Sequence, residues 1–206
     1  MYARSTTVKG QSGAIDRGIA QVKDEVLPAV MAMDGCVGLS MLVDRTSGEC
    51  IVTTSWESED AMRATGEQVK PLRERATDLL QGMSSVQEWE VAVMHRNHHS
   101  LEGSCVRSTW MSMDPGQAEK GLDFFRFVLM PRLEQLDGFC SNSLLIDRAT
   151  GMSVSSVVFD SRAAMERTRS AAEGLRQSSA GELAAQVLDV HEYELAIAHL
   201  HVPELA

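Results

Sequence analysis

The sequence predicts an α+β chain in which one β-α-β-β-α-β unit is written twice. Two observations carry this. Sliding the chain by 103 residues aligns it without a gap over residues 3–80. Arg4-Ser5-Thr6 then falls on Arg107-Ser108-Thr109, Pro28 on Pro131, Asp34-Gly35 on Asp137-Gly138 and Leu72-Arg73 on Leu175-Arg176. In both copies the hydrophobic period also switches between two and 3.6 in the same order. A gapless match that keeps turn residues in register marks a duplicated small domain, because solenoid units are far shorter.

The elements can be justified in order. Residues 2–8 and 106–113 are rich in β-formers and open the two copies. Ile15, Ile19, Val22, Val26, Val30 and Met33 lie on one helical face, and Ala118, Leu122, Phe125, Leu129, Leu133 and Leu136 repeat it. Asp114-Pro115 supplies an N-cap and a proline where no intrahelical N–H is needed. Gly35 and Gly138 supply the left-handed residue that ends each helix. Pro28 and Pro131 lie inside the pattern and are expected to kink the helix or end it early. Strands are predicted over 37–43 and 51–56, joined by the hairpin turn Asp44-Arg45-Thr46-Ser47-Gly48, with Gly48 placed for positive φ. Ser58 caps a short helix. Gly66 and Pro71 are expected to interrupt that helix before a second helical stretch over 72–80. A strand over 86–95 closes the unit, and Glu88-Trp89-Glu90 matches Glu192-Tyr193-Glu194 after one inserted residue.

This order is the split βαβ arrangement of a ferredoxin-like fold, with helices on one sheet face only. The bare face needs cover, and a second copy supplies it. The expected organisation is one repeat over residues 1–96, a polar linker over 97–104, and a second repeat over 105–206.

Composition narrows the function. Of 206 residues, 44% are hydrophobic and 23% charged, an ordinary globular balance. A net charge of −10 without a basic patch argues against nucleic-acid binding. No apolar run is long enough to span a membrane, and no charged-then-apolar leader opens the sequence, so no membrane partner and a cytoplasmic location are expected. Cys36, Cys50, Cys105 and Cys140 lack CxxC spacing and read as reduced thiols. A monomer with an internal pseudo-dimer is expected, with a further homodimer left open.

Strand alternation places Arg4 with Thr6, Arg107 with Thr109, and Thr54 with Trp56. Trp89 and His95 share a strand, as do Tyr193 and His199. One sheet face roofed by helices is a candidate pocket for a small hydrophobic or aromatic molecule, since flat rings and thioethers suit such ligands. The competing reading makes Trp56, Trp89, Trp110 and the methionines core filling. A guanidinium at Arg4 or Arg107 can hold a phenolate or carboxylate and stabilise developing negative charge; the alternative is an ion pair to Glu88 or Glu90, and to Glu192 or Glu194. His95 and His199 are the candidate general bases. His98, His99 and His201 lie near them in sequence. A metal site from His95, His98 and His99 lacks a further ligand at matching spacing, so no metal is expected. The candidate site residues are therefore Arg4, His95, Arg107 and His199 for catalysis, and Thr6, Thr54, Trp56, Trp89, Thr109 and Tyr193 for binding. No nucleotide-binding or nucleophile-elbow motif is present.

The passage Asp34-Gly35-Cys36-Val37-Gly38 and the run Trp56-Glu57-Ser58-Glu59-Asp60-Ala61-Met62 resemble the antibiotic biosynthesis monooxygenase domain family, of the dimeric α+β barrel superfamily. Phe159-Asp160-Ser161-Arg162-Ala163-Ala164 is a looser second instance. The resemblance implies an α+β barrel formed within one chain, where most members form it from two. It also implies a cofactor-independent oxygenase or related small-molecule enzyme acting on a hydrophobic aromatic substrate. The haem-degrading branch of the family uses an Asn, a Trp and a His. Those positions fall near Ser5 or Thr6, at Thr65 and at Arg75, with Thr168 and Ser178 in the second copy, so haem degradation by that mechanism is not expected. The rival reading is a non-catalytic ligand-binding or scaffold protein of the same fold.

Overall fold

The computed structural model describes residues 1–200; His201 and the rest of the predicted second repeat, residues 202–206, lie outside the described residues. The strands are β1 (Tyr2–Lys9), β2 (Cys36–Asp44), β3 (Glu49–Trp56), β4 (Met83–Arg96), β5 (Cys105–Ser112), β6 (Phe139–Asp147), β7 (Met152–Phe159) and β8 (Gln186–Leu200). The helices are α1 (Ile15–Gln21), α2 (Leu27–Met31), α3 (Glu59–Ala64), α4 (Gly66–Leu79), α5 (Ala118–Phe124), α6 (Met130–Leu133), α7 (Arg162–Arg167) and α8 (Arg169–Leu183). The hydrogen-bonded strand order is β1-β3-β2-β8-β5-β7-β6-β4, and it closes, which is the predicted α+β barrel class.

The chain divides into two compact units. One comprises Met1–Trp89 with the described residues from Glu194 onward; the other comprises Glu90–Tyr193. In the first unit β1 pairs with β3 from Tyr2↔Trp56 to Lys9↔Glu49, and β2 pairs with the other side of β3. The outer edge of β2 takes the second half of β8, with Gly38 opposite Leu200 and Val43 opposite Glu194. In the second unit β5 pairs with β7, β7 with β6, and β6 takes the second half of β4, with Glu90 opposite Ile146 and Arg96 opposite Ser141. Each long strand thus gives one half to each unit.

Equivalent ion-pair clusters fasten these borrowed halves. Arg45 holds Glu194 of β8 (Nε–Oε2 2.8 Å) and Asp16 (2.7 Å). At the aligned positions Arg148 holds Glu90 of β4 (2.5 Å) and Glu119. The carboxylates hold both guanidinium protons more tightly than usual, and Arg148 holds the Glu90 carboxyl below its ordinary range.

The turns follow their predicted chemistry. Gly35, Gly48 and Gly138 have φ of 76°, 80° and 69°. Ser58 Oγ accepts from the Ala61 N–H at 3.1 Å, and Asp114 caps the turn that leads into α5. One proline expectation needs correcting and one is narrowed. Of the kink or early end expected at Pro28 and Pro131, the early end does not occur, and helical turns continue through each proline. A wide π-turn over Val22–Val26, and another over Phe125–Leu129, precedes each proline, with Leu27 N–H reaching Val22 O and Met130 N–H reaching Phe125 O. The proline then sits in the first turn of the next segment, where its missing N–H is not required. Nor does Pro71 delay the second helical stretch to residue 72. α4 begins at Gly66 and carries Pro71 inside it, while Thr65 Oγ1 terminates α3 by donating to Met62 O at 2.9 Å.

Each unit has its own core between helices and sheet. The first centres on Ile15, Val22, Val30, Leu39, Met41 and Trp56, the second on Leu122, Phe125, Leu133, Leu144, Phe159 and Met165.

Candidate functional site

Both units enclose a cavity between sheet and helices. Strand alternation sends Arg4, Thr6 and Val8 of β1 to this face, with Thr54 of β3 beside them. The aligned floor of the second cavity is Arg107, Thr109 and Met111 of β5 with Val157 of β7. The first measures about 40 Å³ and the second about 110 Å³.

The floor arginines are structural anchors before anything else. Arg4 gives Nε and Nη2 to Glu88 Oε1 at 3.0 and 2.8 Å, and Nη2 also reaches Met62 O at 2.9 Å. Arg107 does the same with Glu192 at 3.1 and 3.0 Å and with Met165 O at 2.7 Å, and adds Thr168 Oγ1 at 3.3 Å. The ion-pair reading of these residues is the one the geometry bears out.

A second guanidinium was not among the sequence candidates. Arg176 of α8 lines the larger cavity, and Arg73 of α4 lines the smaller one at the aligned position. Among the described residues Arg176 makes no ion pair, and its proton affinity is lowered first by burial and next by Arg107. It is a half-buried positive charge on an otherwise mostly apolar wall that includes Met111, Phe124, Leu129 and Leu175. The signal was present in the sequence: Leu-Arg recurs at the 103-residue shift, on the face of a helix that turns toward the sheet.

The two cavities differ at the mouth. In the first unit Leu80 is buried and packs over Gly10 and Gly18. The Gln11 N–H donates to Leu80 O at 2.9 Å, and a Cβ on Gly10 would stand 2.4 Å from that oxygen. In the second unit Met113 replaces Gly10 and lays its Sδ against Gly121, while Leu183, the counterpart of Leu80, is half-exposed. Met113, Leu183 and Ala185 line this end of the second cavity.

The remaining candidates lie elsewhere. Trp56 is fully buried in the first core, with Nε1 donating to Thr54 Oγ1 at 3.1 Å. Trp89 is on the opposite sheet face, donating to Ser5 Oγ at 2.8 Å. Tyr193 is buried on the opposite face too, against His191 and the edge of Trp110. His95 approaches Glu134 at 2.5 Å and lines neither of these two cavities. His199 lies opposite Leu39 at the paired edge of β2, also away from the cavities. The structure thus joins Arg4 with Thr6 and Thr54, and Arg107 with Thr109, and separates the histidines, Trp89 and Tyr193 from both groups. His95, His98 and His99 turn to different partners, Glu134, Asp160 and Arg96. No helix is long and apolar enough to cross a membrane.

Solved structures place the architecture in a known class. A candidate monooxygenase of Lactobacillus acidophilus superposes with a TM-score of 0.70 at 9% identity, covering 97% of this chain and 96% of its own. An anthrone oxidase-like protein gives 0.66 at 16% identity, covering 100% and 94%. A ferredoxin-fold protein of Listeria monocytogenes, related to antibiotic biosynthesis monooxygenases, gives 0.53 at 12% identity over 95% and 94%. The fold is that of the antibiotic biosynthesis monooxygenase type. No family model matches the sequence. Full-length relatives do. Two uncharacterised proteins of Mycobacterium tuberculosis, Rv2557 and Rv2558, are 51% and 52% identical over the whole of this chain and over 92% and 87% of their own lengths. The chain belongs to the family of these two proteins.

Proposed function

We propose that the protein is a monooxygenase-type, cofactor-independent enzyme whose working pocket is the second-unit cavity. Its substrate is an apolar aromatic molecule carrying one anionic group. The observation that carries this is Arg176, a half-buried guanidinium without an ion pair among the described residues, on the wall of a mostly apolar cavity of about 110 Å³. A guanidinium there favours the ionised form of a phenol, and an ionised electron-rich ring can act as its own reductant toward oxygen. In the net reaction a ring CH₂ and O₂ become C=O and H₂O, with no external electron donor. Arg176 would hold the anion and stabilise charge developing on it. Thr109 and the methionines would shape the pocket around the ring. The fold shared with monooxygenase-type proteins supports the reading.

A second reading is favoured by one observation. The ionisable groups lining this cavity are Arg107, Asp147, Arg148 and Arg176, with neither His95 nor His199 among them. A pocket without a histidine base suits a protein that binds the same class of ligand without turning it over.

One experiment separates the two. Hydroxylated anthrones and quinols are incubated with the protein under oxygen, and oxygen uptake is followed for wild type, Arg176→Ala and Arg73→Ala. Turnover that falls at least about tenfold in Arg176→Ala alone supports the enzyme. Saturable binding with rates equal to buffer supports the binding protein. Absence of both removes the pocket assignment.

A further inference from the structure

A second cluster of chemistry lies outside both cavities. His98 follows β4, Cys140 stands near the start of β6, and Asp160 follows β7. One ligand atom from each lies within 4.8 Å of the other two. Cys140 is fully buried, with Sγ 3.2 Å from the His98 carbonyl oxygen. The backbone fixes the site, because the Asn97 N–H donates to Cys140 O at 2.9 Å and the Asp160 N–H to Gly138 O at 2.9 Å.

Two features call for a cation there. His98 Nδ1 lies 3.1 Å from the His99 carbonyl oxygen, so that nitrogen carries the proton. In the neutral ring Nε2 is then a bare lone pair, and it faces Asp160 Oδ1 at 3.4 Å. That carboxylate oxygen is itself buried and has no hydrogen-bond partner among the described residues. With the thiol proton directed at the His98 carbonyl oxygen, the two remaining lone pairs face each other with no donor between them, and a positive centre there stabilises both. A backbone carbonyl on the far ring nitrogen is also the usual device for orienting a metal-ligating imidazole.

We propose that His98 Nε2, Cys140 Sγ and Asp160 Oδ1 bind a divalent zinc-class cation, with water or the His98 carbonyl oxygen completing the coordination. Thiolate, imidazole and carboxylate are all zinc ligands, and in a tetrahedral zinc site ligand atoms sit roughly 3.5 Å apart. The His98–Asp160 separation already matches that spacing, and the half-exposed His98 on its connecting segment can close the rest. The thiol transfers its proton to solvent as the metal–sulfur bond forms. Thiolate favours zinc-class over calcium- or magnesium-class ions. The site belongs to the second unit alone, because Val37 and Glu57 stand at the positions aligned with Cys140 and Asp160.

The test uses the full chain, without an affinity tag, titrated with Zn²⁺ by calorimetry and with Co²⁺ by absorbance. The expected result is one ion per chain and a thiolate-to-cobalt charge-transfer band. His98→Ala and Asp160→Asn should each weaken binding at least about tenfold. Cys140→Ala should abolish the charge-transfer band. His98 and Asp160 are partly exposed, so their variants report even where Cys140→Ala fails to fold. A single proton filling the gap, as an imidazolium–carboxylate pair, is the competing state. Cobalt titrations without the band, or affinity unchanged in both His98→Ala and Asp160→Asn, would overturn the proposal.

Discussion

The two cavities share a plan and differ at one corner. Floor arginine, wall arginine, π-turn and short capped helix recur at the same shift in both units. The side-chain exchanges between them run in both directions: Val22 becomes Phe125 and Val26 becomes Leu129, while Val69 becomes Ala172 and Val52 becomes Ser155. Side-chain volume alone therefore does not make the second cavity larger. The two units also differ at the end of the long helix. In the first unit it is tied down by the Gln11 N–H to Leu80 O bond beside Gly10, and in the second Met113 stands at the Gly10 position with its Sδ against Gly121. After a duplication, one copy can keep the packing and the other an opening, with the anchoring network held in common.

That comparison can be broken in four ways, the largest effect first. Glu192 is 19% exposed and serves both Arg107 and Arg169, whereas Glu88 is 40% exposed and serves Arg4. Glu192→Gln should destabilise by about 3 kcal/mol, as a broken buried pair does. Glu88→Gln should cost about 1 kcal/mol or less because solvent screens it. Denaturant midpoints would show this, and equal losses would mean the two anchors are equivalent. Next, Gly10→Ala should cost roughly 1–3 kcal/mol by overpacking against Leu80, with Gly13→Ala, whose added Cβ meets nothing within 4 Å, as the control. Third, Arg176→Ala should weaken binding of an anionic naphthalene dye about tenfold, or about 1.4 kcal/mol, while Arg73→Ala leaves it within about twofold.

The smallest effect is electrostatic. Arg148→Met should lose about 0.5–1 kcal/mol, since the pair with Glu90 is part-exposed. Glu90 has a lowered folded-state pKa, so its contribution is present above its ordinary value of 4.5 and fades as pH falls through the lowered one. The gap in melting temperature between wild type and variant should accordingly close below about pH 4.5.

Much of the fold was legible because its signals are local. Gly35, Gly48, Ser58 and Asp114 act on neighbours one to four residues away, and their turns and caps form as read. Pro71 was misjudged because a proline's cost depends on what the helix does around it; before Pro28 a π-turn absorbs that cost. The site was less legible. Period-two alternation placed Arg4, Thr6, Arg107 and Thr109 on the correct face, but not Trp89 or Tyr193, whose strands cross from one unit to the other. The recurring Leu-Arg marked Arg176, but its place on the cavity wall emerged only when helix and sheet were brought together. His98, Cys140 and Asp160 come from three separate segments, so no spacing rule joins them.

The shared long strands have a consequence for how the molecule is made. The outer edge of β2 is completed by residues about 150 positions downstream in β8. During synthesis the first unit must therefore wait, with that edge bare, while the whole second repeat is translated. Bare edges recruit other strands, and such distant pairing forms slowly. A ribosome that stalls before β8 would release a chain whose first half has every helix and turn it needs and no partner for its sheet.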